Sequence, residues 1–306
     1  MYPKHLLYLV PLFVLLPACE QLVSLDVPAT PDRLVVNGFF NPDSTWSVSL
    51  YRSAPPEDTV DPASQYVSDA WVVVRAEGGG VVDTLHHVGG GTYRAGTRPE
   101  EGRTYTLEVD APGFGPVLAR SQAPEATALT ACEAAELEVD DLFSQQLAFT
   151  IDDGAGSQIR RLTLTAARSG CVTSACLKQA RFRSQDTVLR ESFGGIDMPY
   201  FRRSPENEYR GFAVFADEAF EGREHALDLR IDERAGSLAT SQFMLTITTV
   251  SDDYYRYHRT LIEQQAAAGN PLSEPVRVYS NVEGGLGVFA GFTNRTVPIL
   301  GGECLR

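Results

Sequence analysis

Apolar and polar side chains alternate with a period of two along most of this chain, in short runs punctuated by glycine and proline. Trp46-Ser47-Val48-Ser49-Leu50-Tyr51 and Tyr105-Thr106-Leu107-Glu108-Val109 are the clearest cases. Side chains on a strand point alternately to its two faces, so such runs read as half-buried strands. Leu34-Val35-Val36-Asn37-Gly38-Phe39-Phe40, Ala70-Trp71-Val72-Val73-Val74, Val81-Val82-Asp83-Thr84-Leu85 and Thr92-Tyr93-Arg94 are further strand candidates. Gly78-Gly79-Gly80 and Gly89-Gly90-Gly91 separate them. Strands flank both triplets and no Gly-Lys-Ser/Thr follows, so they predict hairpin turns and not phosphate loops. Residues 54–65 read as an exposed loop, and no 3.6-residue period is present over 34–120. Strands about ten residues apart with glycine turns predict a β-sandwich over 34–120.

Pro112, Gly113, Pro116 and Pro124 make residues 111–131 look like a crossing into a second part, 121–306. There Gln146–Ile151, Arg161–Thr165, Ala226–Ile231 and Phe243–Val250 predict strands. Asp152-Asp153-Gly154-Ala155-Gly156 reads as a solvated turn without the ligand spacing of a calcium loop, and Asp140-Asp141 as another. Residues 185–212 read as a long polar loop region. One helix is expected: Ser251 is a natural N-cap, Asp252 and Asp253 occupy the first turn, and Gly269 and Pro271 supply the stop. Its tyrosines Tyr254, Tyr255 and Tyr257 are a candidate ligand or partner surface, with packing against a sheet as the alternative. Beyond it Val276–Val282 predicts a strand. The glycine-dense Glu283–Gly291 must let backbone pass close to something, either a neighbouring strand or a ligand. The second part is therefore expected to be a β-rich domain with one helix.

The first 18 residues carry a different pattern. Lys4 precedes an apolar run from Leu6 to Leu16, and Leu16-Pro17-Ala18-Cys19 follows. This is the charged, apolar and small-residue sequence of an export signal. The run is too short to span a bilayer and Pro11 breaks it. The cysteine at the cut resembles a bacterial lipoprotein signal, which implies that Cys19 carries diacylglycerol and an N-terminal acyl chain such as palmitate. Several acyl chains anchor stably where one binds only reversibly. Residues 19–33, with Pro28 and Pro31, then form a tether. Removing Lys4 takes the formal net charge from −14 to −15. That balance argues against nucleic acid and against adhesion along an anionic lipid surface, leaving the lipid as the membrane contact. Hydrophobic residues make up 43% of the chain, enough to build a core.

The remaining cysteines, Cys132, Cys171, Cys176 and Cys304, are even in number and suit an oxidising compartment. Three pairings exist. Cys171 with Cys176 closes a short loop and leaves Cys132 with Cys304. A zinc site is disfavoured because no Cys-x-x-Cys or histidine cluster is present.

Taken in order, these segments resemble the bacterial lipoproteins grouped as domain-of-unknown-function family 4249, common in Bacteroidota. The resemblance rests on the lipobox cysteine, Leu34–Gly38, Ala70–Val74 with Gly91-Thr92-Tyr93, and Gly102–Leu107. At the other end it rests on Tyr254–Tyr257, Glu274-Pro275 and, most specifically, Ser280-Asn281-Val282-Glu283-Gly284-Gly285-Leu286-Gly287-Val288-Phe289. The N-terminal half alone is similar to generic immunoglobulin-like and transthyretin-like sandwich modules. The family resemblance implies an outer-membrane lipoprotein, often encoded beside a TonB-dependent transporter, and carries over no catalytic residue.

The residues themselves contain no His-Glu-x-x-His and no Gly-x-Ser-x-Gly. His86 and His87 point to opposite faces of a strand and cannot easily share a metal. His225 and His258 stand alone, and no cofactor is implied. The expectation is a non-enzymatic, lipid-anchored binding or accessory protein with a transporter partner, its ligand and leaflet unspecified. Two alternatives stand beside it. One is a surface hydrolase with two carboxyl groups about 5 to 9 Å apart in a cleft; the other is a structural or adhesive envelope protein.

Overall fold

A computed structural model of the chain describes residues 31–54, 61–139, 142–154, 156–168, 178–191, 208–210, 212–232, 241–268, 273–300 and 303–305. Asp32–Arg306 forms one compact unit. The expected signal segment, Cys19, Cys171, Cys176 and Asp140-Asp141 lie outside the described residues. No helix among the described residues is long and apolar enough to cross a membrane.

The N-terminal strands are β1 (Leu34–Phe40), β2 (Ser47–Arg52), β3 (Trp71–Ala76), β4 (Val81–Gly89), β5 (Thr92–Arg94), β6 (Thr104–Asp110) and β7 (Val117–Gln122). They form two sheets that share β4. Its first half pairs with β3 and its second half with β5. One sheet runs β1-β2-β5-β4 and the other β4-β3-β6-β7. The alternation read from sequence is the burial pattern observed: in β6, Tyr105, Leu107 and Val109 face inward. Between the sheets lie Trp46, Tyr93, Tyr105, Phe40 and a shell of valines and leucines. The glycine triplets form the turns, with Gly78, Gly79 and Gly89–Gly91 at positive φ.

β7 corrects the expectation of a crossing over 111–131. It turns the small Ala119 and Ser121 inward and Leu118 outward. Its pattern therefore runs against the usual apolar-in signal, and the nearby prolines hid it further.

The second part contains β8 (Ala128–Val139), β9 (Leu142–Asp152), β10 (Ile159–Arg168), β11 (Lys178–Gln179) and β12 (Arg181–Arg183). A five-residue helix α1 (Thr187–Glu191) follows, then β13 (Glu208–Arg210), β14 (Phe212–Ala216), β15 (Glu224–Asp232) and β16 (Ser241–Val250). Helix α2 (Asp252–Ala268), β17 (Val282–Glu283), β18 (Leu286–Leu300) and β19 (Glu303–Cys304) complete the chain. A sheet β13-β12-β15-β9-β8 packs on strands β10, β14, β16 and the end of β18, enclosing a second core around Phe149, Phe182, Phe215 and Phe243. Cys132 on β8 is bonded to Cys304 on β19, with Cα atoms 5.9 Å apart across 172 residues of sequence. The bridge joins the margins of the two sheets. By loop entropy a closure of that length stabilises by about 5 kcal/mol.

β18 belongs to both halves. Val35–Phe40 pairs in parallel with Leu286–Gly291, and Phe292–Ile299 pairs antiparallel with Val250–Phe243. Val282 and Phe289 lie in the first core, while Ile299 lies in the second. The C-terminal segment thus supplies strands to a sandwich that the sequence places wholly within 34–120. The glycine cluster is what permits this. Gly287 has φ +102, and a Cβ there would run into the Val36 carbonyl; a Cβ at Gly291 would run into the Gln122 carbonyl. The close partner of these glycines is neighbouring strand backbone. The expected strand over Val276–Val282 is observed as irregular extended chain ending in β17. Asn281 holds it there: its Nδ2 donates to the Phe289 carbonyl at 2.7 Å and its Oδ1 accepts from the Phe289 N–H at 3.0 Å.

Near where the two halves meet, a fully buried arginine organises the polar groups. Arg160 Nη1 donates to Asp217 Oδ2 at 3.0 Å, Nε to Thr127 Oγ1 at 2.9 Å, and Nη2 to Gln158 Oε1 at 2.9 Å and to Asp153 Oδ1. Thr127 in turn bonds Thr249 at 2.8 Å. The expected solvated turn at Asp152-Asp153 is therefore half corrected: Asp152 is exposed, but Asp153 is 4% exposed and its second oxygen accepts from the Gly222 N–H. One cation faces two carboxylates in a dry site. Burial raises the pKa of Asp217, more than its hydrogen bonds and Arg160 lower it, and its Oδ1 has no hydrogen-bond partner.

Two outcomes follow from this architecture. Gly287→Ala is expected to break the β1–β18 ladder, seen as loss of the cooperative urea transition, whereas Gly80→Ala, in open space, leaves it unchanged. A carboxyl whose pKa is raised by folding stabilises fully below the ordinary value of 3.8 and loses that contribution as pH rises through the folded value. The stability of Asp217→Asn relative to wild type should accordingly move in the variant's favour as pH rises above 3.8, read from urea midpoints.

Candidate functional site

Among the described residues the second sheet of the first sandwich leaves part of its outer face to solvent, around a buried Val73. The face is built from residues that alternate with the core positions: Trp71 on β3, Glu108 and Asp110 on β6, Leu118 and Arg120 on β7, and Glu283 on β17. Register places Trp71 opposite Asp110, Glu108 opposite Leu118, and Leu118 opposite Glu283. Side chains opposite one another on adjacent strands have Cβ atoms about 5 Å apart, so these groups form one contiguous surface. Trp71 is 51% exposed and Leu118 43%. Two exposed large apolar side chains on one polar sheet face, two strands apart, make it a candidate interaction surface.

The charges are distributed unevenly. Arg75 Nε donates to Glu108 at 2.8 Å, and Arg120 Nη2 to Glu77 at 2.5 Å, so both cations of the face are already paired. Asp110 and Glu283 are exposed and take part in no ion pair among the described residues. At its β7 side the face opens into a shallow groove of about 510 Å³ lined by Thr106, Leu118, Arg120 and residues 280–283. The face can bind by stacking, apolar contact and carboxylate pairing. It offers no nucleophile with a base.

The tyrosines singled out from the sequence are placed elsewhere. Ser251 caps α2, its Oγ accepting from the Tyr254 N–H at 3.3 Å. Tyr254 and Tyr257 then lie edge-on to Phe39 of β1, with centroids 5.3 and 5.8 Å away, and Tyr254 also meets Phe292. His258 stacks on the same Phe39 ring at 5.2 Å. Burial, assisted by Arg161, lowers the pKa of His258 and keeps it neutral near pH 7. Tyr255 packs beside Arg259, which pairs with Glu263. Burial raises the hydroxyl pKa of Tyr255 and Tyr257. All three tyrosines are part-buried, and Tyr254 and Tyr257 serve to seat the helix on β1 and β18. Asp253 then ties the helix start to its surroundings. It accepts from Ser121 at 2.6 Å and from the Tyr279 hydroxyl at 2.8 Å, and burial and this carboxylate push Tyr279 up to about 12.

The fold also assigns the other candidate groups. His225 Nε2 lies 3.1 Å from Asp186 and its ring stacks on Phe220. The carboxyl pair that the fold brings together, Asp153 and Asp217, is sealed around Arg160 with side chains 0% exposed, closed to a substrate. Among the described residues no cluster of three or more His, Cys, Asp or Glu could hold a metal. The outer face was missed from the sequence because Trp71 read as an ordinary strand residue and Leu118 fell within the expected crossing over 111–131. The available signal was Trp71 out of phase with Val72 and Val74.

Comparisons with known proteins place the chain in a family. No curated protein matches it. Among solved structures, the collagen binding domain of Erysipelothrix rhusiopathiae surface protein RspB is 10% identical. That match covers 87% of this chain and 96% of the other, at a TM-score of 0.19. The collagen adhesin (CNA) from S. aureus is 7% identical, covering 87% and 94%, at a TM-score of 0.20. The model of a family described as "Domain of unknown function (DUF4249)" matches residues 20–297, nearly the whole chain beyond the signal segment, and the chain belongs to that family.

Proposed function

We propose that this is a non-enzymatic binding or accessory protein of the outer membrane, anchored by lipid on Cys19 and acting through the outer face around Trp71. The observation that carries the binding role is that face, on which Trp71 and Leu118 are both exposed among open carboxylates. The anchor is supported by the signal pattern ending at Cys19. Lipid at one end and a rigid sandwich face at the other would suit a protein held beside a membrane partner. A TonB-dependent transporter is the partner that the family resemblance implies, and the role would be accessory to nutrient uptake.

Growth with labelled palmitate tests the anchor. Wild-type protein is expected to take up label and to partition with the outer membrane, and Cys19→Ala to lose both. Label retained by the variant would refute the assignment. Gentle detergent extraction tests the partner, since a β-barrel transporter should co-purify with wild type and be depleted by Trp71→Ala.

A further inference from the structure

We propose that the outer face around Trp71 takes an extended, cationic segment of a partner protein, in which arginine or lysine and an apolar residue stand two positions apart, on the same side of the segment. The inference rests on the binding role given above to this face and specifies the chemistry of what it binds. Trp71 sits directly across from Asp110. A guanidinium or ammonium group laid on an exposed indole is attracted by the ring quadrupole, and a carboxylate one strand away adds a charge-assisted hydrogen bond. Leu118 stands two strands over, next to Glu283, repeating the arrangement of an apolar group beside an open carboxylate.

The two arginines of the face reinforce the sign. Arg75 is committed to Glu108 and Arg120 to Glu77, so neither is left to attract an anion, while Asp110 and Glu283 are left over. The whole chain carries a formal net charge of −14, so its long-range field draws cations toward the same surface. An extended ligand fits because the face is a sheet: every second side chain of an extended peptide projects to the same side, so a segment with a cation at one position and an apolar residue two positions on can present the cation to Asp110 and the apolar residue to Leu118.

The chain provides its own reporter. Of its tryptophans, Trp46 is buried at 0% exposure and Trp71 is not, so a ligand-induced change in indole emission or quenching reports on this face. The mature lipoprotein, in zwitterionic detergent at low salt, is titrated with a labelled dodecapeptide of three Arg-Ser-Leu-Ser repeats. Binding is read from peptide anisotropy and from acrylamide quenching of Trp71. The expected result is binding that shields Trp71, weakens with added salt, and falls about tenfold in Asp110→Lys and in Trp71→Ala. Asp43→Lys makes the same charge change in the β1–β2 turn of the other sheet and should alter affinity less than twofold.

Equal weakening by Asp43→Lys would overturn the proposal, because the attraction would then be general charge. So would failure of the peptide to bind while cellohexaose shields Trp71; the face would remain a binding site, for a glycan. If neither ligand shields Trp71, the cationic segment and the binding role of this face fall together.

Discussion

The parallel pairing of Val35–Phe40 with Leu286–Gly291 holds the molecule together, because β18 is the strand on which both cores close. Its first half completes the sheet over the Trp46 core and its second half lies along β16 over the Phe243 core. The pairing joins residues about 250 positions apart, so the entropy of closing that loop must be offset by contacts that form together. It also needs backbones closer than side chains allow, and the glycines of the Glu283–Gly291 string meet that need. Gly287 lies against the Val36 carbonyl and Gly291 against the Gln122 carbonyl. Asn281 bonds both polar groups of Phe289 and keeps the approach to the strand in register.

Everything around that strand reinforces it from outside the ladder. Helix α2 covers its outer face, with Tyr254 resting on Phe39 and Phe292 and burying Val288 and Ala290 beneath the helix layer. Asp253 connects the helix to β7 through Ser121 and to the incoming chain through Tyr279. The Arg160 network joins the loops after β9 and β14 to Thr127, just before β8. A buried ion cluster of this kind adds little net stability over an apolar filling, but removing one partner leaves a charge uncompensated. Its effect is to specify one arrangement of these loops. With α2 on one sheet of the first sandwich and no helix on the other among the described residues, Trp71 and Leu118 on the face of β3, β6 and β7 stay exposed.

Much of the fold was legible in the residues. The period of two in β1, β2, β6, β9, β10, β15 and β16 is produced directly by burial of one face, so it survives in the sequence. Positive φ at Gly78, Gly79 and Gly89–Gly91 is likewise a local requirement that only glycine meets cheaply. The cap of α2 was legible because Ser251 and two following aspartates solve a local problem, the unpaired N–H groups of the first turn. The failures share one cause. β7 was missed because its inward residues include the small Ala119 and the polar Ser121, and the partner that buries Ser121, Asp253 at the start of α2, reaches it only through the fold. Asp153 was taken for a turn residue because its partner, Arg160, and its neighbour, Gly222, reach it only through the fold.

The sequence by itself determined the strand-rich class, the hairpins, the helix with its cap, the family and the shortlist of cysteines. Each of these follows from neighbours within about ten residues or from a motif read along the chain. Only the tertiary structure decided that β18 serves two sandwiches, that Cys132 meets Cys304, that Tyr254 and Tyr257 pack on Phe39, and that Trp71 and Leu118 are exposed on one face. The physical reason is that burial is a pairwise property. Whether an apolar side chain is core or surface depends on what the rest of the chain lays against it, and for Tyr254 that is Phe39, more than two hundred residues away.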